Sequence, residues 1–234
     1  MVNGSPEPSL LRTMVIVISG LYNVPLSVEE ECKDDMEPSQ PEASRSDEIL
    51  ITSPYSGQEH HLDLTSVDES SKQLALALQS LKPTTNEYPT QDYAESFNWQ
   101  EIIDQLSPSF AGNQSPSCSD FLVGEFYCIA FYSTLHPNVD TARLHYLDSL
   151  AHAEANQSGG LLKYWWQGPP DPTSRRNLAT CVWTSWDRAK RAGRLPMHGK
   201  AMGATRDSYA KWNVERYYLR IKEGNKWELE RITV

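Results

Sequence analysis

The chain has 234 residues and a formal net charge of −10 at neutral pH, and its acidic excess lies in the first half. Residues 1–120 carry 20 acidic and 5 basic side chains, whereas residues 121–234 carry 11 and 16. The length suits one sizeable domain with extensions. No apolar run is long enough for a membrane span, and the small basic surplus of the second half argues against a nucleic-acid partner.

The first fifty residues have the composition of an acidic, largely disordered N-terminus. Residues 24–48 are mostly acidic residues, proline and serine, so they bury too little apolar surface to offset the entropy of ordering. Residues 13–22 have the apolar character of a signal segment or an ordered strand. Glu7 precedes them and no cleavage-like site follows. We therefore expect a cytoplasmic protein.

Cysteine usage agrees with that location. Cys32, Cys118, Cys128 and Cys181 show no metal-ligand spacing, and two of them lie in apolar runs typical of strands. Buried free thiols in a reducing compartment are expected.

Residues 51–106 are predicted to form a helical extension. The leucine spacing of residues 70–81 predicts one helix, and residues 99–106 predict a second with Asn98 as a possible N-cap. Residues 49–64 allow a short strand and turn, in which the adjacent His60 and His61 point apart and make a metal pair improbable. This segment has too little apolar surface to fold alone, so it should pack on a larger core. A Ser- and Pro-rich linker follows at residues 107–120.

The core is predicted within residues 121–234. Its predicted elements are a strand at 121–134, a helix from about 140 to 155, strands at 161–167 and 178–185, a helix interrupted or restarted at Pro196, a strand at 213–222, and a hairpin partner at 227–234. The order β-α-β-β-α-β predicts an α+β, ferredoxin-like fold, with an antiparallel sheet and both helices on one face.

Alternation along the last strand of this motif suggests how its two faces are covered. Tyr217, Leu219 and Ile221 share one face, and we expect them to form the core under the helices. The opposite face, with Arg216, Tyr218 and Arg220, would suit the N-terminal extension or a partner sheet. Packing of two such sheets would give a homodimer.

Four stretches resemble a fungal protein family over about residues 74–221. They are YAESFNW (93–99), LDSLAHAEANQSGGLLKYW (147–165), RNLATCVWTS (176–185), and LPMHGKAM (195–202) followed by Tyr209 and VERYYL (214–219). The C-terminal part is similar to the dimeric α/β-barrel superfamily, which includes cofactor-independent monooxygenases, haem-degrading enzymes and several lyases and isomerases. The resemblance implies the same fold and a small hydrophobic ligand, but it does not define the chemistry.

Two histidine-bearing helix faces are candidates for chemistry. His198 and Tyr209 share a face of the second core helix, where His198 could act as a general base and Tyr209 could hold an oxygen atom. A core histidine bonded to a backbone carbonyl is the alternative. His145, Asp148 and His152 share a face of the first core helix, which suits either a metal site or a polar helix edge. We expect no metal there, and we retain His152 as a second catalytic candidate because it lies in a family-matching stretch.

Aromatic residues are dense in the core. Tyr164, Trp166, Trp183 and Trp212 are candidate substrate-binding residues that would line a pocket for a flat apolar molecule. The alternative is that tryptophans such as these fill the core and a dimer interface.

The sequence predicts a small-molecule enzyme without a cofactor. Nucleotide-binding glycine motifs, GxSxG, HExxH and a cysteine–histidine pair are all absent. We expect oxygenation, isomerisation, cyclisation or elimination of a hydrophobic or aromatic metabolite. The acids Asp187 and Glu215 are candidates for orienting His198. The alternative is a non-catalytic dimeric binding or scaffold protein.

Overall fold

The computed structural model describes residues 48–106 and 123–233. The predicted disordered tail, apart from its last residues, and all of the predicted linker lie outside these ranges, as do Cys32, Cys118 and the apolar segment at 13–22.

The elements of the extension are two short strands and three helices. They are β1 (Ile49–Ile51), β2 (His61–Asp63), α1 (Glu69–Ala77), α2 (Tyr93–Ser96) and α3 (Trp99–Asp104). Asn98 precedes α3 without capping it through its side chain. Its amide instead accepts from the Lys82 backbone N–H and donates to the Ser80 carbonyl, and so ties α3 to the segment that follows α1.

The core elements follow the predicted order. They are β3 (Gly124–Leu135), α4 (Thr141–Gln157), β4 (Leu161–Trp165), β5 (Arg176–Trp183), α5 (Trp186–Ala192), α6 (Pro196–Ser208), β6 (Tyr209–Lys222) and β7 (Lys226–Arg231). Pro196 is the first residue of α6, as predicted, since proline lacks the N–H that a helix start leaves unbonded.

The sheet has the strand order β4-β5-β3-β6-β7, with every neighbouring pair antiparallel. The first four of these strands give the order of a ferredoxin-like fold, in which β5 lies between the two strands that α4 connects. The α+β, ferredoxin-like prediction is confirmed. β7 adds a fifth strand beside β6, because Gly224 and Asn225 adopt the positive φ that this tight turn needs.

Alternation along β3 assigns the two faces of the sheet. Phe126, Cys128 and Ala130 join the larger core cluster with residues of the extension. Tyr127 joins the second cluster with Ala155 of α4 and with Ala189 and Ala192 of α5. One sheet face therefore carries the helices and the other carries the extension.

The face prediction for β6 is wrong. Tyr217, Leu219 and Ile221 pack against the extension, and Tyr218 packs on the helix side. The large apolar side chains of this strand meet the large aromatic residues of the extension, whereas the buried helix residues of the cluster that Tyr218 joins are alanines. Steric volume, which alternation alone does not reveal, decides between the two faces.

The extension buries four aromatic side chains completely or nearly so: Tyr88, Tyr93, Phe97 and Trp99. The Tyr93 hydroxyl is 2.6 Å from Thr180 Oγ1 on β5, and the Trp99 indole N–H donates to the Tyr93 carbonyl at 3.2 Å. Packing on the core is how this short segment removes its apolar surface from water.

A loop between β1 and β2 brings the extension around to the helix side. The Tyr164 N–H of edge strand β4 donates to the Thr52 carbonyl at 2.7 Å. The Asn156 side-chain amide on α4 donates to the carbonyls of Glu59 and His61. These bonds hold residues 52–61 beside β4 and α4.

Candidate functional site

A cavity of about 180 Å³ lies between α4, α6 and the helix-side face of the sheet. A closed apolar cavity of about 150 Å³ can bind benzene, so this one can take an aromatic ring with a short substituent. The wall is largely apolar. Besides histidine, tyrosine and aspartate, its polar side chains are those of Ser133, Thr141, Gln167, Asn177 and Thr205.

All seven predicted site residues line this cavity: His152, Tyr164, Trp166, Trp183, His198, Tyr209 and Trp212. The helical period brings His145, Asp148 and His152 to the cavity face of α4, and the same period carries His198 of α6 to it. The prediction that Tyr209 shares a helix face with His198 is wrong, because α6 ends at Ser208 and Tyr209 begins β6; Tyr209 lines the cavity from the strand. The catalytic and substrate-binding roles of these residues stay predictions.

Asp148 is the centre of a hydrogen-bond group. Its Oδ2 accepts from the Tyr55 hydroxyl at 2.5 Å and from the Tyr164 hydroxyl at 2.9 Å. Burial raises the pKa of Asp148, and the two hydroxyl donors oppose that rise because they stabilise the carboxylate. Burial, reinforced by the Asp148 charge, raises the pKa of Tyr209 to about 12, so that phenol stays protonated.

His60 and His152 form a buried imidazole pair. Their Nδ1 atoms are 2.7 Å apart, and the two residues are 2% and 5% exposed. Burial lowers the pKa of both, to about 3 for His152, where the nearby His60 and His198 lower it further. Both rings are therefore neutral near pH 7, and one Nδ1 donates to the other.

The second nitrogen of His60 indicates which ring donates. His60 Nε2 lies 3.5 Å from Glu59 Oε1 and 3.4 Å from Ser149 Oγ. An ionised carboxylate only accepts, which favours the proton on His60 Nε2. The His60 Nδ1 is then the acceptor and His152 Nδ1 the donor, which leaves a lone pair on His152 Nε2. That buried nitrogen has no hydrogen-bond partner in the described part of the chain.

His198 lies in the first turn of α6, and Glu154 of α4 anchors that turn. The Glu154 carboxylate accepts from the backbone N–H groups of Met197 and His198 at 2.8 and 3.2 Å. Burial lowers the pKa of His198, while the charges of Glu154 and Asp148 oppose that change. Its Nδ1 is buried and finds no hydrogen-bond partner among residues 48–106 and 123–233.

Stacked aromatic rings form part of the cavity wall. Trp212 stacks on Tyr209 at 4.9 Å and on Phe131 at 5.7 Å between ring centroids.

The Trp183 indole N–H donates to Cys181 Sγ at 3.0 Å, and burial raises the pKa of this thiol to about 12. Cys181 is thus a wall residue and not an activated nucleophile.

No group of three or more His, Cys, Asp or Glu side chains within the described ranges could hold a metal ion. Cys128 and Cys181 are free and buried, as predicted. No helix in the described segments is long and apolar enough to cross a membrane.

Two residues beside the site come from the extension and were not predicted. Tyr55 and His60 reach the α4 residues Asp148 and His152 across about ninety positions of sequence. The sequence gives one indication of the position of His60: adjacent residues point in opposite directions, so either His60 or His61 is expected to face the interior. Glu215, one of the acids predicted to orient His198, instead accepts a hydrogen bond from Tyr217 and forms an ion pair with Arg231. The acid that contacts His198 is Glu154, which accepts its backbone N–H.

These features define a ferredoxin-like α+β protein with a small cavity between its helices and its sheet. A family model described as PB2B2.08-like matches residues 51–231. The UPF0643 protein PB2B2.08 of Schizosaccharomyces pombe is 35% identical over 195 residues, which cover 81% of this chain and 86% of that protein. The chain belongs to the PB2B2.08-like family.

Two solved structures are similar to less than half of this chain. SnoaB, a cofactor-independent oxygenase from Streptomyces nogalater, is 16% identical with a TM-score of 0.33, over 40% of this chain and 90% of that one. A putative antibiotic biosynthesis monooxygenase from Nitrosomonas europaea is 15% identical with a TM-score of 0.35, over 43% and 91%. No conclusion about the activity of this chain follows from them.

Proposed function

We propose that the protein is an enzyme that binds a small, largely apolar or aromatic molecule in the cavity and transfers a proton through a buried imidazole. One observation carries this proposal: an apolar cavity is lined by His152 and His198, each with a buried ring nitrogen that lacks a partner in the described protein. A buried polar atom without a hydrogen bond costs stability, and a bound substrate that supplies the bond would offset that cost.

His198 is the proposed proton-transfer group. Its lowered pKa keeps the ring neutral near pH 7, so it can accept a proton. The Tyr209 hydroxyl, protonated at that pH, can donate to a substrate oxygen. Oxygenation, isomerisation, cyclisation and elimination can each begin with removal of a proton from an activated C–H or O–H group, so this arrangement serves all four.

His152 is the second proposed proton acceptor. The chain from Glu59 through His60 favours a lone pair on His152 Nε2. A carboxylate and an imidazole in series orient the terminal imidazole and stabilise the charge that it gains.

A non-catalytic binding or scaffold protein is the competing proposal. It requires tryptophan side chains to fill the space between the helices and the sheet, and the open cavity beside His198 counts against it. The homodimer expected from sequence stays a prediction. Because the extension covers one sheet face and the helices cover the other, such a dimer would need a different surface.

The test is consumption of a substrate from a mixture of small metabolites. Purified protein is incubated with a cellular extract of small apolar compounds, and mass spectrometry follows which compound disappears. His198→Ala should slow that loss by about 10²- to 10⁴-fold while the circular dichroism spectrum is unchanged.

His136→Ala is the matched control, since His136 is exposed in the turn after β3 and outside the cavity wall. Equal turnover by the His198 variant and the wild type would remove His198 from the mechanism. A protein that neither consumes nor binds any compound would support the scaffold proposal.

A further inference from the structure

Charge in the cavity wall restricts what the cavity can bind. Among the described lining residues Asp148 is the only acidic one, and there is no lysine or arginine. Lys163, the neighbour of Tyr164 on β4, is not in the wall, and its ammonium donates to Gln79 of the extension. The described wall therefore holds a carboxylate without a lysine or arginine to balance it.

Two hydrogen bonds stabilise the carboxylate of Asp148 and so oppose the burial that raises its pKa. Both hydrogen bonds to Oδ2 come from phenol hydroxyls, which donate to a carboxylate but bring no positive charge. His152 and His198, whose pKa values are lowered by burial, are neutral near pH 7. His145 is the remaining histidine of the wall.

Ligand charge should follow from this arrangement. An anionic group would meet a like charge and find no cation in the wall, where burial strengthens the repulsion. A protonated amine would instead gain an ion pair with Asp148. The aromatic faces of Tyr164, Trp183 and Trp212 in the same wall also attract a cation.

We propose that the cavity is specific for a protonated amine joined to an aromatic or similarly flat apolar group, with the ammonium at Asp148 and the ring against the stacked aromatic side chains of the wall. This assignment rests on the proposed function in one respect, that the cavity is the substrate site. It goes beyond the proposed function by specifying the charge of the substrate, which the positions of the imidazoles do not determine.

Three probes of matched shape test the charge preference: 2-phenylethylamine, 2-phenylethanol and 3-phenylpropanoate. Their binding to the purified full chain is measured by calorimetry at about pH 8, where unperturbed histidines are neutral. The amine should bind about tenfold or more tightly than the alcohol, and the carboxylate should bind most weakly. Equal or tighter binding of the alcohol or the carboxylate would overturn the proposal.

Asp148→Asn provides the matched variant, since its amide oxygen can still accept from both tyrosines. The amine should lose its advantage over the alcohol in this variant, while the affinity for the alcohol is retained. An unchanged preference for the amine would show that Asp148 does not bind it. Where the variant does not fold, the ranking of the three probes on the wild type decides the matter alone.

The two proposals can fail separately. His198→Ala should retain the amine preference while it loses turnover. If turnover depends on His198 but the amine binds no more tightly than the alcohol, the proposed function stands and the proposed substrate class is rejected. Binding with the predicted preference but without turnover by the wild type would reject the enzyme and retain a receptor for amines.

Discussion

At the scale of single residues, buried imidazoles are the defining feature of this site. His60, His152 and His198 are all held neutral by burial, which lowers the pKa of each. A neutral imidazole in an apolar wall is costly to protonate, so the stability of the protein should depend on pH through these rings.

His152 gives the clearest prediction of this kind. Its pKa in the folded state, about 3, lies below the unfolded value near 6.5, so the unfolded chain binds the proton first as pH falls. The contribution of neutral His152 is complete above about pH 6.5 and is lost progressively towards pH 3. Between about pH 7 and pH 5, this residue alone should lower the free energy of unfolding by about 2 kcal/mol.

Urea unfolding of wild type and His152→Gln at both pH values measures that contribution. The variant should show a smaller loss than the wild type, whereas His136→Ala should follow the wild type. An identical loss in wild type and His152→Gln would show that this imidazole is solvated. Comparison of variants is needed because the raised pKa of Asp148 acts with the opposite sign.

The sequence was sufficient to place seven residues around one cavity but not to complete the site. Helical periodicity brings His152 and His198 to the correct faces, because local geometry determines those directions. Tyr55 and His60 belong to a loop whose position depends on backbone bonds to Tyr164 and Asn156. Such long-range contacts leave no periodic pattern in a single sequence.

At the scale of elements, the junction of α4 and α6 holds His198 in place. Glu154 accepts two backbone N–H groups from the first turn of α6, in the manner of a helix cap supplied by another helix. A change at Glu154 should therefore act on His198 without touching the cavity wall.

Glu154→Ala should destabilise the protein by about 1 kcal/mol, the usual cost of a lost helix cap, and reduce turnover. Glu154→Gln retains an acceptor oxygen and should behave nearly as the wild type in both respects. Urea unfolding and substrate consumption give the two readings. If alanine and glutamine gave the same values, the carboxylate would have no part in placing α6.

The extension is the second element-scale determinant. Trp99 is almost fully buried beside Tyr93 and Phe97, whereas Leu76 on α1 is half exposed. Trp99→Ala should lower the free energy of unfolding by about 3–5 kcal/mol, because it removes a large buried side chain and leaves a cavity. Leu76→Ala should cost far less, and similar losses in the two variants would mean that the extension contributes little to stability.

At the scale of the whole molecule, one chain covers both faces of its own sheet. The order of strands was predictable because each element has a strong local pattern, whereas the assignment of faces was not, because both faces of β6 carry aromatic residues. Only the volumes packed against them separate the two.

Removal of residues 1–106 should expose Phe126, Leu219 and Ile221, which are otherwise nearly inaccessible to water. An apolar face of this size promotes association, so the shortened chain should self-associate or precipitate where the full chain does not. Size-exclusion chromatography with light scattering makes the comparison. A shortened chain that stayed soluble and kept the oligomeric state of the full chain would show that the extension is not needed to cover the sheet.

The order in which these parts leave the ribosome has its own consequence. The extension is made first, but β6, which carries much of its binding surface, begins at Tyr209, more than a hundred residues after α3 ends at Asp104. During translation the aromatic side chains of the extension stay exposed, because the strand β6 that they pack against has not yet been synthesised. The yield of folded protein in a cell should therefore depend on chaperones that shield Tyr93, Phe97 and Trp99 until synthesis is almost complete.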